Sequence, residues 1–123
     1  MRIQVVTLFP EEFAPLVGLG VTGRGISSGK VKLELLNPRE FAEDRHRTVD
    51  DRPYGGGPGM VMAVEPLLST IRAAKERVAG DGAETPRASL LSPQGSPLDQ
   101  DAIRELAKRE NLILVCGRYE GID

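Results

Sequence analysis

The stretch Leu112-Ile113-Leu114-Val115-Cys116-Gly117 determines how this chain can fold. Its first five residues are all apolar, without the alternation of a half-exposed strand. A continuous apolar run of this length, closed by a glycine, is typical of a strand buried on both faces of a parallel sheet. Such a strand needs helices above and below it. The sequence therefore predicts an α/β fold built around a parallel sheet.

Four further segments upstream have the character of strands. They are the apolar run Ile3–Phe9, closed by Pro10, the alternating run Val31–Leu35, and the short runs Met60–Val64 and Ser89–Leu91. Because these segments alternate with helical patterns, we predict parallel strands with right-handed crossovers. The chain shows no internal repeat and no internal domain boundary, so one α/β domain is expected.

Three segments have helical character. Glu11–Val17 predicts a short helix, after which Gly18, Gly20, Gly23 and Gly25 are expected to loosen the chain. A second helix is predicted to open at Glu65–Pro66, because proline suits the first helical position, and to stop at Gly80. A third is predicted to be capped by Asp99. The predicted inner faces are Leu67, Ile71, Ala74 and Val78 in the second helix, and Ala102, Ile103, Leu106 and Ala107 in the third.

The composition excludes several classes of protein. The 123 residues are 40% hydrophobic and 28% charged, which is ordinary for a globular protein and argues against disorder. No apolar run approaches the ~20 residues of a membrane span. One cysteine and one histidine cannot supply a zinc site or an internal disulfide. The first residues lack the pattern of a signal peptide, so a cytoplasmic location is the default expectation.

Two strand ends carry unusual turns, Leu91–Gly95 and Cys116–Asp123. In an open parallel sheet, ligands bind beyond the carboxyl ends of the strands. Gly117 would let a ligand approach the backbone without a Cβ in the way, and Glu120 offers an acceptor nearby. The alternative is that the glycines only turn the chain, and for either turn alone the two interpretations are equally good. Two such turns on neighbouring strands favour a binding site.

Residues 39–59 form a polar segment too long for a simple connection, so it is a functional candidate. It holds a basic cluster of Arg45, His46, Arg47 and Arg52, although the whole chain has a net charge of −2. Taken alone, this cluster is better interpreted as a solvated loop whose arginines pair with neighbouring carboxylates. The glycines at 55, 56, 57 and 59 are costly to order, so either the backbone packs closely there or the loop orders on binding.

Together these segments resemble a known family. Asp44–Met60, Leu91–Gly95 and Leu112–Asp123 are similar to motifs of the bacterial tRNA (guanine-N1)-methyltransferases (TrmD), as are Leu8–Pro10 and Gly20–Arg24. The resemblance covers nearly the whole chain. It implies a SPOUT-type α/β domain with a deep trefoil knot, which acts as a homodimer on S-adenosylmethionine and tRNA. The implied reaction is methylation of N1 of guanine 37, next to the anticodon.

The resemblance also implies roles for individual residues. Asp50 and Glu120 would lie near the methyl donor or the target base in supporting roles, and no metal site is implied. The loop that carries Arg45, Arg47 and Arg52 would help to form the dimer and RNA surface. The implied cofactor-binding residues are Leu91, Ser92, Pro93, Gln94, Gly117, Tyr119 and Gly121.

The chain departs from the family in length, because family members are about twice as long. Residues 1–123 would be the amino-terminal part of the S-adenosylmethionine-binding domain. The segment that completes the knot, the general base, the guanine-facing arginine and the carboxyl-terminal tRNA-binding domain would be absent. We therefore expect this fragment alone to be inactive. Two alternatives stay open: a non-catalytic RNA-binding module that uses the arginine loop, and a self-associating fragment without a ligand.

Overall fold

The apolar strand near the end of the chain lies inside a four-stranded sheet of the computed structural model, which describes residues 1–78 and 86–118. The strands are β1 (Arg2–Val6), β2 (Lys32–Leu36), β5 (Ala88–Leu91) and β6 (Asn111–Cys116), in the order β2-β1-β6-β5. All three pairings are parallel. The predicted parallel sheet is therefore confirmed, with β6 paired on both sides.

The remaining elements are five helices and a small ladder in the described residues. A two-stranded antiparallel sheet joins β3 (Asp50–Asp51) to β4 (Val61–Met62). A 3-10 helix spans Pro38–Phe41. The α-helices are α1 (Pro10–Val17), α2 (Gly20–Ser27), α3 (Val64–Val78) and α4 (Gln100–Ala107).

Helix α3 packs across β1 and β6 and builds the core with them. Its predicted inner face is confirmed, since Leu67, Ala74 and Val78 are buried and Ile71 is half-buried. Full burial of an aliphatic side chain such as Leu67 contributes about 1.5–3 kcal/mol. Thr70 is also fully buried on this helix, and its hydroxyl donates a hydrogen bond of 2.6 Å to the carbonyl oxygen of Pro66.

Strand β6 has the predicted burial at three of its five apolar residues, while Leu114 and Cys116 are half-buried. Leu112, Ile113 and Val115 are buried, with exposed fractions between 0% and 8%. The first strand is shorter than the predicted Ile3–Phe9, because the chain leaves the ladder after Val6 and Phe9 already precedes α1. The predicted stop of α3 at Gly80 lies outside the described residues.

The expectation that the glycines at 18–25 loosen the chain is wrong, because α2 spans Gly20–Ser27. Gly20 has φ +59, a left-handed conformation that glycine adopts without strain. A Cβ on Gly23 would overlap the carbonyl group of Gly18. The glycines therefore permit a sharp corner between α1 and α2.

The prediction for α4 is confirmed at its start and wrong for its inner face. The carboxylate of Asp99 accepts a hydrogen bond of 2.8 Å from the Ala102 N–H, as an N-cap does. However, no residue of α4 is buried: Ile103 is 43% exposed and Ala107 is exposed, while Ala102 and Leu106 are half-buried. The apolar face of this helix is thus largely uncovered within the described residues.

The segment 39–59 contains more regular structure than the predicted loop. The 3-10 helix begins where Asn37 accepts a hydrogen bond of 3.0 Å from the Arg39 N–H. The ladder of β3 with β4 follows, and β4 is only two residues long, shorter than the predicted Met60–Val64.

The corner between α1 and α2 leads to a test of stability. We expect Gly23→Ala to lower the free energy of unfolding by roughly 1–3 kcal/mol, because the new methyl group would meet the Gly18 carbonyl. Urea unfolding followed by circular dichroism measures the change. Gly25→Ala is the matched control, since its Cβ would lie 3.8 Å from Val31 Cγ2, an ordinary contact. Equal stability of the two variants would contradict this account of the corner.

Candidate functional site

The two predicted turns lie side by side at the carboxyl edge of the sheet. Leu91 of β5 is in register with Cys116 of β6, so both strands end at the same level. The turn after β5 is closed by hydrogen bonds to Ser92: the Gly95 N–H donates to its carbonyl oxygen at 3.1 Å, and the Gln94 N–H to its Oγ at 3.2 Å. Parallel pairing thus brings Ser92–Gln94 and Gly117 together, as predicted.

Gly117 is exposed. A Cβ at this position would lie 3.8 Å from Leu90 Cδ1, with no closer described atom, and the φ of Gly117 is outside the left-handed region. Leu90 and Leu91 beside it are 49% and 50% exposed. Because consecutive strand residues point to opposite faces, each leucine exposes apolar surface on its own side of β5. An exposed leucine next to backbone polar groups suits a flat heteroaromatic ring with polar edges.

Three of the predicted site residues lie outside the described residues: Tyr119, Glu120 and Gly121. Asp50 lies in β3, in the two-stranded sheet, where it is in register with Met62. The roles expected for Asp50 and Glu120 are therefore not tested by this geometry, and they remain predictions.

A pocket of about 260 Å³ lies on the other side of the β6 end, against β1 and α1. The guanidinium carbon of Arg118 stands 5.1 Å from the centroid of the Phe9 ring there. The sequence does not predict this pocket, although the Leu8-Phe9-Pro10 motif that lines it can be recognised there. It is lined by Thr7, Leu8, Phe9, Glu12, Phe13, Leu16, Cys116, Gly117 and Arg118.

Cys116 is the last residue of β6 and lines this pocket. Partial burial raises the pKa of the Cys116 thiol above its usual value, because desolvation disfavours the thiolate. The thiol is therefore neutral at physiological pH, which argues against a role as nucleophile.

The basic loop is organised by one carboxylate. Asp44 accepts two hydrogen bonds from Thr48, one of 2.6 Å from its hydroxyl and one of 2.8 Å from its N–H. These hydrogen bonds hold the pKa of Asp44 below its usual value, and the one from the Thr48 hydroxyl has the larger effect. The Arg47 N–H donates to the Asp44 carbonyl oxygen at 3.1 Å, and Arg47 has φ +50. The turn directs Arg45, His46 and Arg47 to the exterior, where all three are exposed.

The arginines of this loop form no ion pair with another described residue. Within residues 1–78 and 86–118, the ion pairs join Arg2 and Arg77 to Glu34, Arg104 to Asp101, and Lys108 to Glu105. None of these pairs includes Arg45, Arg47 or Arg52. The interpretation of a loop neutralised by its own carboxylates is thus not what the described part of the chain shows.

The glycine-rich part of the loop projects from an anchored base. Val49 and Met62, on either side of it, are buried in the core. Between them, the glycines at 55, 56, 57 and 59 all have φ between +79 and +118. At the first three, no described atom lies within 4 Å of an added Cβ, and Tyr54 is 98% exposed. Glycine is therefore required here by backbone conformation, and close packing within the described chain is not the reason.

Other features of the described residues add little to the site. Across 1–78 and 86–118, no three histidine, cysteine, aspartate or glutamate residues cluster as metal ligands would. In the same residues, no helix combines the length and apolar character that a membrane crossing requires. A second pocket, of about 240 Å³, lies between the basic loop and the start of α3.

Comparison with known proteins gives a consistent result. The whole chain, residues 1–123, matches the family described as tRNA (Guanine-1)-methyltransferase TrmD. It is 59% identical over 123 residues to the tRNA (guanine-N(1)-)-methyltransferase of Methylococcus capsulatus, covering 100% of this chain and 47% of the relative. The protein of the same name from Klebsiella pneumoniae is 57% identical over the same 123 residues, with 47% of its length covered. The chain thus spans about half the length of these relatives.

The fold has a solved counterpart. The crystal structure of tRNA (m1G37) methyltransferase from Aquifex aeolicus superposes with a TM-score of 0.86 at 35% identity, covering 100% of this chain and 53% of that one. The arrangement of strands and helices described above is therefore that of a solved tRNA methyltransferase structure.

The hydrogen bonds of the basic loop can be tested by titration. We expect Thr48→Val to raise the pKa of Asp44 towards its usual value, because the hydroxyl donor is lost while the backbone donor stays. A carboxyl group with a lowered pKa stabilises the folded state above its unfolded pKa, and that contribution disappears as pH falls through the folded pKa. Carboxyl carbon NMR titration measures the shift. Thr22→Val, on an exposed face of α2, should leave the pKa of Asp44 unchanged; an unshifted pKa in Thr48→Val would refute the assignment.

Proposed function

This chain belongs to the TrmD family of tRNA (guanine-1)-methyltransferases, and we propose that it is the amino-terminal part of a methyltransferase domain. The whole enzyme would methylate N1 of guanine 37 in tRNA with S-adenosylmethionine. A tRNA substrate implies a cytoplasmic location. The observation that carries this proposal is the adjacency of Gly117 to the turn after β5, at the carboxyl edge of a parallel sheet.

The edge fits the purine of S-adenosylmethionine. Exposed Leu91 would pack against the flat ring, and the backbone beside Gly117 would hydrogen-bond to its polar edge. When bound, S-adenosylmethionine supplies an electrophilic methyl group. The proposed cofactor-binding residues are Leu91, Ser92, Pro93, Gln94, Gly117, Tyr119 and Gly121.

Guanine N1 imposes requirements that the cofactor does not meet. N1 carries a proton at neutral pH, so a base must remove that proton and a cation must stabilise the charge that grows on O6. We propose that the general base and the guanine-facing arginine lie in the second half of the enzyme. Asp50 and Glu120 would support them near the methyl donor or target base, where correct placement supplies much of the rate.

The loop that carries Arg45, Arg47 and Arg52 would contact tRNA and the second subunit of a homodimer. Its arginines are exposed and make no ion pair in the described residues, so they can neutralise phosphates. The left-handed glycines beyond them leave the backbone open to close approach. An anticodon-loop base is already partly unstacked, which lowers the cost of presenting guanine to the pocket.

The uncovered face of β5 and α4 supports a trefoil knot completed by further chain. β5 is an edge strand of the four-stranded sheet among the described residues. Leu98 and Ile103 nearby are 62% and 43% exposed, and β5 itself exposes two leucines. Apolar surface of this extent on an α/β sheet is normally covered. In the proposed enzyme, a strand and helix from the second half cover it, and a carboxyl-terminal domain grips tRNA.

Activity of the isolated segment tests whether the general base lies in the second half of the enzyme. We expect purified residues 1–123 to incorporate no radiolabelled methyl group into tRNA that carries guanine 37, because the general base is absent. The complete gene product should incorporate label under the same conditions. Methylation of tRNA by residues 1–123 above the enzyme-free background would refute this proposal.

Cofactor binding tests the site itself. We expect Gly117→Val in the complete gene product to weaken S-adenosylhomocysteine by about tenfold, ~1.4 kcal/mol, in isothermal titration calorimetry, because the side chain occupies the purine's space. Gly25→Ala, away from the edge, should keep the wild-type Kd.

The two alternative functions predict other results. A non-catalytic RNA-binding module would show salt-sensitive tRNA binding that does not depend on the cofactor. A self-associating fragment would scatter light as an oligomer and release no heat on titration with S-adenosylhomocysteine.

A further inference from the structure

The contact between Arg118 and Phe9 joins two turns at the carboxyl edge of the sheet. Arg118 directly follows Gly117 in the turn after β6, and Phe9 lies between β1 and α1. The guanidinium carbon lies 5.1 Å from the ring centroid. A guanidinium is attracted to the negative face of an aromatic ring and can stack flat on it. The contact therefore ties the β6 turn to the β1–α1 turn.

Phe9 is itself held by its surroundings. Its N–H donates a hydrogen bond of 3.1 Å to Thr7 Oγ1, and its carbonyl oxygen accepts one of 3.1 Å from the Phe13 N–H. Thr7 is anchored to the sheet, since its N–H donates to the Leu36 carbonyl oxygen at 2.9 Å. Pro10 further restricts the backbone of the residue before it. The backbone that carries Phe9 is thus restrained, and its ring, in a residue that is 43% exposed, offers a platform for the Arg118 guanidinium.

The backbone of Gly117 has to be held in place by its neighbours. Glycine loses more conformational freedom on ordering than any other residue, and it has no side chain to hold it in place. On one side of Gly117, Cys116 belongs to β6; on the other, Arg118 is the first residue with a side chain. The backbone of Gly117 therefore lies between the strand and a residue whose guanidinium is over the Phe9 ring.

We propose that Phe9 is a positioning residue: by holding Arg118, it keeps the Gly117 turn in the conformation that binds the purine of S-adenosylmethionine. The inference rests on the proposed function of that turn. Phe9 stands on the β1 side of β6, whereas Leu91–Gln94 follow β5 on its other side. Phe9 thus acts through Arg118 and does not belong to the proposed cofactor contacts.

The test uses the complete gene product and calorimetric titration with S-adenosylhomocysteine. We expect Phe9→Leu to raise the Kd about two- to fivefold, the size of one exposed cation–π contact. In steady-state assays the KM for S-adenosylmethionine should rise by a similar factor, with kcat unchanged. Phe9→Tyr retains the ring and should restore the wild-type Kd. Phe13→Leu is the matched control, because Phe13 lines the same pocket without the guanidinium over it.

A second variant keeps the inference testable if Phe9→Leu does not fold. Arg118→Gln removes the cation and leaves the Phe9 platform intact, and it should raise the Kd by the same factor. A wild-type Kd in folded Phe9→Leu or in Arg118→Gln overturns the positioning role while leaving the proposed function in place. An equal rise in Phe13→Leu overturns it too, because pocket packing alone would then be responsible. If the wild-type protein binds no S-adenosylhomocysteine, the proposed function fails and the inference fails with it.

Discussion

Pairing of β6 on both sides is the constraint on which the rest of this structure depends. A strand buried on both faces must satisfy its N–H and C=O groups within the sheet, and it does so with β1 on one side and β5 on the other. In a parallel sheet, this pairing also aligns the carboxyl ends of the three strands. Val6, Leu91 and Cys116 therefore lie at one edge of the sheet.

The edge created by this alignment has two distinct sides. Towards β5, Gly117 lies beside half-exposed leucines and the hydrogen-bonded turn that begins at Ser92. Towards β1, the guanidinium of the next residue, Arg118, lies over the Phe9 ring beside a small pocket. Gly117 and Arg118, directly after β6, thus lie between a surface suited to a ligand and a surface suited to holding them in place.

The loop between the 3-10 helix and β4 combines residues buried in the core with residues exposed at the surface. Its glycine-rich part is fixed in the core by Val49 and Met62 and carries the exposed Arg52 and Tyr54 between them, while the exposed Arg45 and Arg47 precede Val49. Hydrogen bonds from Thr48 to Asp44 shape the arginine turn locally. Left-handed glycines shape the rest at an entropic cost that burial within the described chain does not offset. An anchored base with a conformationally costly tip is the arrangement expected of a surface that meets a partner.

The sequence by itself determined the parallel sheet, the inner face of α3 and the proximity of the two turns, because each follows from local periodicity and from the geometry of parallel strands. The sequence also predicted that the glycine-rich loop is unusual, because a left-handed backbone conformation favours glycine. It failed where distant residues decide the outcome. Gly23 permits a helix corner because of Gly18, and the inner face of α4 has no covering layer among residues 1–78 and 86–118. The Phe9–Arg118 contact joins positions more than a hundred residues apart. Such contacts have no local pattern, so only the tertiary structure could place them.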